Sequence, residues 1–193
     1  MIEILIRAYL LGGMVAHKLL WETLKRRQAH SGPAQPTVVS PSVRIVKLGK
    51  LAFLAALLLL TAYPYAVIPI SSAPAALRWI GLAIYTLGLL TAMSARIALG
   101  ANWSDIEQAG VLREQGVSRN GVYGYIRHPI YVGDLLLLAG LFLALNTWFV
   151  LLLAPLTPYV LWKAMREERM LVEQLPGYAD YCRQTRRFIP FVV

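Results

Sequence analysis

The sequence predicts an all-α integral membrane protein of about five transmembrane helices, the last two forming a C-terminal helical hairpin. Three observations predict it. Hydrophobic residues make up 58% of the 193-residue chain and charged residues only 15%, against roughly 25% charged in soluble domains. Uncharged runs recur at residues 51–70, 79–95 and 135–162, and about 20 apolar residues cross a ~30 Å hydrocarbon core. The basic residues behind the net charge of +9 gather between these runs and not on one solvated face.

The expected spans are residues 4–24, 48–70, 76–99, 130–145 and 147–165, in a single membrane domain covering 1–193. The first contains Arg7, His17 and Lys18, so it spans only with its charged ends at the interfaces. It is not a typical signal peptide, because Glu3 stands where Lys or Arg would be and no small-residue cleavage site follows. In the second span Pro64 and Pro69 are expected to kink or end the helix. The third is bracketed by Arg78 and Arg96, whose long side chains can snorkel to the interfaces. The last run holds 28 uncharged residues, too many for one upright helix. Asn146 and Thr147 near its middle mark a tight turn between two antiparallel arms, the second bent near Pro155 and Pro158. Residues 29–42 read as a Pro/Ser-rich loop. The single cysteine, Cys182, excludes an intrachain disulfide.

Charge distribution predicts the topology. Residues 22–50, 96–134 and the tail from Lys163 carry sixteen of the 19 basic residues, and five spans put these segments on one side. The positive-inside rule then predicts an outside N-terminus and a cytosolic C-terminus. A nucleic-acid binder would instead cluster its cations on a solvated domain, so that class loses its support.

Two polar segments could carry chemistry, both on the cytosolic side: 101–129 and 163–190. The first leads into GVYGYIRHPIYVGD, with Pro129 placed at the first turn of a helix whose free N–H groups suit an anion. An interfacial anchor, with Arg127 for headgroups and Tyr123, Tyr125 and Tyr131 for an aromatic belt, would use the same residue types. In the second segment Lys163 and Glu167 are spaced for a same-face pair. Glu167 and Glu168 directly follow a long apolar helix, where an acid is costly to bury without a partner. Leu175-Pro176-Gly177 ends that helix, Tyr178 and Tyr181 begin a short amphipathic turn, and Arg183, Arg186 and Arg187 favour acidic headgroups. His17, His30 and His128 are scattered, so no metal site is expected, nor is a phosphate-binding loop or nucleophile elbow.

In order, GVYGYIRHPIYVG, Asn146 at the turn, E-E-x-x-L at 167–171, Y-x-x-Y at 178–181 and Pro190 resemble the isoprenylcysteine carboxyl methyltransferase family, within the wider phospholipid methyltransferase group. The likeness covers roughly residues 75–190 and looks like a compact prokaryotic or archaeal member. It implies an S-adenosylmethionine-dependent membrane enzyme without a Rossmann fold, releasing S-adenosylhomocysteine. It further implies cofactor contacts from Gln108, from Gln115, Gly116, Val117 and Ser118, and from Tyr123 and His128-Pro129-Ile130-Tyr131. Glu167 matches the acid that holds the methionine ammonium. The family's substrate-side arginine is replaced by Lys163, with Arg166 beside it.

This chemistry suits the residue set. A carboxylate acceptor is ionised at neutral pH and needs no general base, so the protein supplies proximity and desolvation. The leading expectation is methyl transfer to the α-carboxylate of a prenylated cysteine or similar amphiphile entering from the bilayer, with membrane lipids as its other partners. Amine methylation of a phospholipid is an alternative and would require a proton acceptor near the methyl group. A non-enzymatic scaffold or lipid-binding protein is another, in which Glu167 and His128 are ordinary interfacial residues.

Overall fold

The structure is a computed structural model describing residues 1–31, 41–64, 68–102 and 116–190. Six α-helices follow in order: α1 (Ile2–Ser31), α2 (Pro41–Ala62), α3 (Ala75–Leu99), α4 (Pro129–Ala144), α5 (Leu153–Gln174) and α6 (Tyr178–Gln184). Among the described residues there is no strand, only two isolated bridges. Among the described residues four helices are long and apolar enough to cross a membrane: α1, α2, α3 and α5 with the 3-10 turn before it. α4 has 16 residues, about 24 Å at 1.5 Å each, which is shorter than the hydrocarbon core. Large apolar side chains such as Leu5, Leu51, Leu59, Leu87, Leu90 and Leu151 are exposed on these helices. A surface of this kind belongs against lipid and not water.

Several boundaries differ from the sequence expectation. α2 ends at Ala62 and not near residue 70. Pro64 has no N–H to continue the ladder, and it disfavours helical backbone at Tyr63. α1 runs to Ser31, past the expected 24, helped by the Lys18–Glu22 pair one turn apart at 2.7 Å. The second hairpin arm starts as a 3-10 turn, Trp148–Leu152, then continues as α5 to Gln174 with Pro158 inside it.

The hairpin turn sits on Asn146, the one described non-glycine residue with positive φ, at 54°. Asparagine tolerates that conformation better than most residues. Its side chain also accepts from Ser71 N at 3.1 Å and donates to Ser71 O at 2.8 Å, pinning the hairpin to the segment before α3.

α3 and α4 pack antiparallel through glycines. A Cβ on Gly140 would lie 2.1 Å from Tyr85 N, and one on Gly88 would lie 2.3 Å from Leu137 N. Gly81 and Gly133 make equivalent approaches to Ala144 and Ala92. Backbones therefore touch directly, as small residues permit in membranes, where dispersion replaces the hydrophobic drive. α1 joins this pair through the core of Leu10, Met14, Tyr85 and Leu141, and Tyr85 Oη donates to Leu10 O at 2.7 Å.

Charges near the ends of the first and third spans are partnered. Arg7 bonds Glu3 at 3.1 Å and caps α2 through Thr61 O at 2.8 Å, while Arg78 reaches Glu3 at 3.3 Å. A cation at helix-terminal carbonyls also opposes the negative end of the dipole. At the other end Arg96 is fully buried, bonded to Gln28 Oε1 at 2.9 Å and Gly100 O at 3.2 Å.

Candidate active site

A cavity of about 430 Å³ opens at the Arg96 end, between the N-terminus of α4, the second half of α5, α6 and residues 116–123. Its volume lies within the usual range for ligand sites, about 300–1,000 Å³.

The segment 116–128 is held in place from three sides. Gly116 N donates to Asn102 Oδ1 at 2.9 Å, and Ser118 Oγ to Ala98 O at 3.3 Å. Tyr181 Oη donates to Tyr123 O at 2.7 Å. Residues 125–128 pair with the C-terminal tail: Arg186 N donates to Tyr125 O, Arg127 N to Arg186 O and His128 N to Arg187 O, at 2.8 to 3.2 Å. The tail is thus a short strap across the site.

The adjacent acids of α5 divide the work. Glu168 is buried, 6% exposed, and receives Arg127 Nε at 2.7 Å, His128 Nε2 at 3.0 Å and Arg187 Nε at 2.9 Å. Arg127 also reaches the carbonyls of Cys182 and Thr185 at 3.0 and 2.5 Å. One carboxylate therefore ties α5, the start of α4 and the tail together. Glu167 faces the cavity and accepts from Tyr131 Oη at 2.8 Å. The expected same-face pair of Lys163 and Glu167 is organised around Tyr131, since Lys163 Nζ lies 6.0 Å from that ring's centroid, within cation–π range.

Burial sets the protonation of the outlying groups. It lifts the phenols of Tyr123 and Tyr178 above their ordinary value and pushes Tyr181 up to about 12. All three remain neutral near pH 7. Burial likewise raises the Cys182 thiol, which disfavours its thiolate. The hydrogen bond to Glu168 raises Arg187.

Of the residues singled out from sequence, Gly116, Val117, Ser118, Tyr123, His128, Ile130, Tyr131, Lys163 and Glu167 line this one cavity. Pro129 is buried at the first position of α4 and does not line it. Arg166 is exposed, stacked 5.7 Å from the Trp162 ring centroid, and does not line it either. Gln108 and Gln115 lie outside the described residues. Of the three arginines expected at headgroups, Arg187 instead reaches the buried Glu168, while Arg183 stays exposed and pairs with the exposed Asp180 on α6. Sequence reasoning missed the Glu168 hub, whose partners are far apart along the chain. It also missed His17, Trp21, Lys50 and Asp134 on the cavity wall; His17 had been visible only as a charge-compatible residue inside a span.

The chemistry of the lining fits S-adenosylmethionine. Glu167 with Tyr131 offers an acid for an ammonium, Lys163 a cation for an anion, and Val117, Leu171 and Leu175 apolar surface for a nucleoside.

Comparison with known proteins bears on the fold and the family. The chain is 31% identical over 117 residues to the cobalt-zinc-cadmium resistance protein CzcN of Cupriavidus metallidurans, covering 58% of this chain and 51% of that protein. The chain therefore spans about half the length of that relative. The fold matches the eukaryotic intramembrane Ras methyltransferase, isoprenylcysteine carboxyl methyltransferase, with a TM-score of 0.56 at 22% identity, over 97% of this chain and 68% of that one. The family model for phospholipid methyltransferase matches residues 76–176, the stretch that holds α3, the glycine-packed α4 and both acids of α5. By that match, over more than half its length, this chain belongs to the phospholipid methyltransferase family.

Proposed function

We propose that this membrane protein is an S-adenosylmethionine-dependent methyltransferase acting on the polar head of a lipophilic acceptor. The observation that carries the reading is the meeting of Glu167 with residues 116–118, Tyr131 and Lys163 around one cavity. When bound, S-adenosylmethionine supplies a methyl group already activated on a sulfonium. Glu167, braced by Tyr131, holds the donor's ammonium in a charge-assisted bond. The 116–118 backbone with Leu171 and Leu175 encloses its nucleoside and excludes water. His128 has its Nε2 committed to Glu168, so it contributes position and ring surface. Lys163 orients an anionic acceptor head. This supports the carboxylate of a prenylated cysteine or similar amphiphile, the acceptor class in the name of the structural relative.

The cavity lies at the end of the bundle that carries most of the basic residues, and we assign that end to the cytosol. The cofactor then enters from water and the acceptor's tail from the bilayer. Amine methylation is favoured by a separate observation, the proximity of His17 and Asp134 on the same wall.

Calorimetry of the detergent-solubilised protein with S-adenosylhomocysteine tests the reading. Saturable binding in the micromolar range is expected. No heat at millimolar ligand would overturn it.

A further inference from the structure

A second cavity lies beside the tail strap. It measures about 250 Å³ and is lined by Gly124, Tyr125, Arg183, Gln184, Arg186 and Pro190, none of which lines the cavity beside Glu167. That volume is below the usual range for whole-ligand sites, about 300–1,000 Å³, and suits a single charged headgroup. Arg183 and Arg186 are its charged walls, and no acid lines it. Arg119 brings a third guanidinium, donating from Nη1 to Gln184 Oε1 at 3.0 Å. Asp180 pairs with Arg183 and offsets one of the three charges.

The strap accounts for the position of Arg186. It runs beside residues 125–128, with Arg186 N donating to Tyr125 O at 3.0 Å and Arg127 N to Arg186 O at 2.8 Å. Successive side chains of an extended segment point to opposite faces. Arg187 turns in to the buried Glu168, and Arg186 turns out and is exposed. Among the described residues the Arg186 guanidinium has no hydrogen-bond or ion-pair partner. Large apolar surface adjoins it: Tyr125 on the wall and Ile189 beside Pro190 are 60% and 56% exposed. Guanidinium groups next to an exposed ring and an exposed aliphatic chain suit the membrane interface, where headgroup phosphates meet the first methylenes. A phosphate free in water would leave that apolar surface unused.

We propose that this second cavity binds the phosphate of an anionic membrane phospholipid through Arg183 and Arg186, and that the bound headgroup pins the strap over the cavity that holds Glu167. A guanidinium fork matches phosphate oxygens two at a time. Arg186 and Arg187 are neighbours on one strap. Fixing the first restrains the second, and with it the Glu168 junction between α4, α5 and the tail. A lipid with a cationic head, such as phosphatidylcholine, brings its own positive charge against three arginines and binds less well. Nothing in this site requires methyl transfer, so it stands apart from the function proposed above.

The test compares the full chain in phosphatidylcholine nanodiscs and in equimolar phosphatidylcholine–phosphatidylglycerol nanodiscs. Protein released from the mixed discs should retain phosphatidylglycerol in native mass spectrometry. Hydrogen exchange at the Arg127, His128 and Arg186 amides, which hold the strap, should slow several-fold in the mixed discs. Arg183→Gln combined with Arg186→Gln should lower retention at least about 10-fold and abolish the slowing. Arg44→Gln combined with Lys47→Gln removes two charges from exposed positions on α2 at the same end, and should change neither. Equal losses in the two double variants, or no lipid retained by wild type, would overturn the site, since attraction would then belong to the charge of the whole end. Retention without slowed exchange would overturn the pinning of the strap. Slowing reproduced by inorganic phosphate in phosphatidylcholine discs would overturn the assignment to lipid. S-adenosylhomocysteine, a zwitterion that the disc charge does not concentrate, should bind more tightly in the mixed discs. Its failure to bind in either disc would count against the methyltransferase reading alone, because retention and exchange report on the lipid site without it.

Discussion

Glu167 and Glu168 are neighbours in sequence with opposite surroundings, because successive helical residues point about 100° apart. Glu168 turns into Arg127, His128 and Arg187, and Glu167 into the cavity. Removing one member of a buried ion pair leaves charge uncompensated and costs about 3–5 kcal/mol. Glu168→Ala should therefore lower the thermal midpoint in detergent by many degrees, since Arg127 would be left buried. Arg187→Ala should cost less, because Arg187 is about a third exposed and water can replace it at Glu168. Glu167→Ala should behave in the reverse way. The midpoint should stay near wild type, and S-adenosylhomocysteine should bind at least about 30-fold more weakly, the equivalent of losing a charged contact worth ~2 kcal/mol or more. Unchanged affinity in calorimetry would remove Glu167 from the site. An acid pair at the end of an apolar helix is legible in sequence as something in need of partners. Which acid meets which partner is not, since Arg127, His128 and Arg187 lie 41, 40 and 19 positions away.

The α3–α4 contact is an element-scale property that the hydropathy pattern conceals. Gly81 and Gly88 are seven residues apart on α3, and Gly133 and Gly140 are seven apart on α4, a heptad spacing that keeps each pair on one face. Within leucine-rich runs these glycines read as ordinary apolar residues, although their backbones are what meet. Gly140→Ala should destabilise the protein severely, because the added carbon would fall 2.1 Å from Tyr85 N and only backbone movement could relieve it. Gly12→Ala and Gly49→Ala, with nothing within 4 Å, should leave the thermal midpoint almost unchanged. Equal loss at all three positions would show that the contact is not specific. The hairpin turn was easier to read from sequence, because Asn146 interrupts 28 uncharged residues and carries a side chain suited to turns. Asn146→Ala should cost about 1–3 kcal/mol, combining an unfavourable φ with the loss of both bonds to Ser71.

At the scale of the whole molecule, the two ends of the bundle are chemically unlike. One gathers Glu3, Arg7, Arg78 and the Asn146 turn. The other gathers the cavity, the Glu168 hub and the tail strap. That asymmetry could be read from the basic-residue count, because insertion sorts charge by loop and the loops follow directly from the uncharged runs. The cavity itself could not, since its wall takes His17 and Trp21 from α1 and Lys50 from α2, residues whose neighbours across the bundle have no sequence signature. The orientation proposed above rests on the same charges, and it can be tested without activity. Cys182 is the only cysteine, so Cys182→Ser gives a background on which single reporters can be placed. Ser72→Cys lies before α3 at the Arg78 end, and Arg183→Cys lies on α6 beside the cavity; both parent residues are exposed. With the described basic residues concentrated on the cavity side, a membrane-impermeant maleimide applied to intact cells should label position 72 and spare position 183 until the cells are permeabilised. The opposite pattern would place the cavity outside, away from any cytosolic methyl donor. It would overturn the assigned orientation and the route by which the cofactor enters.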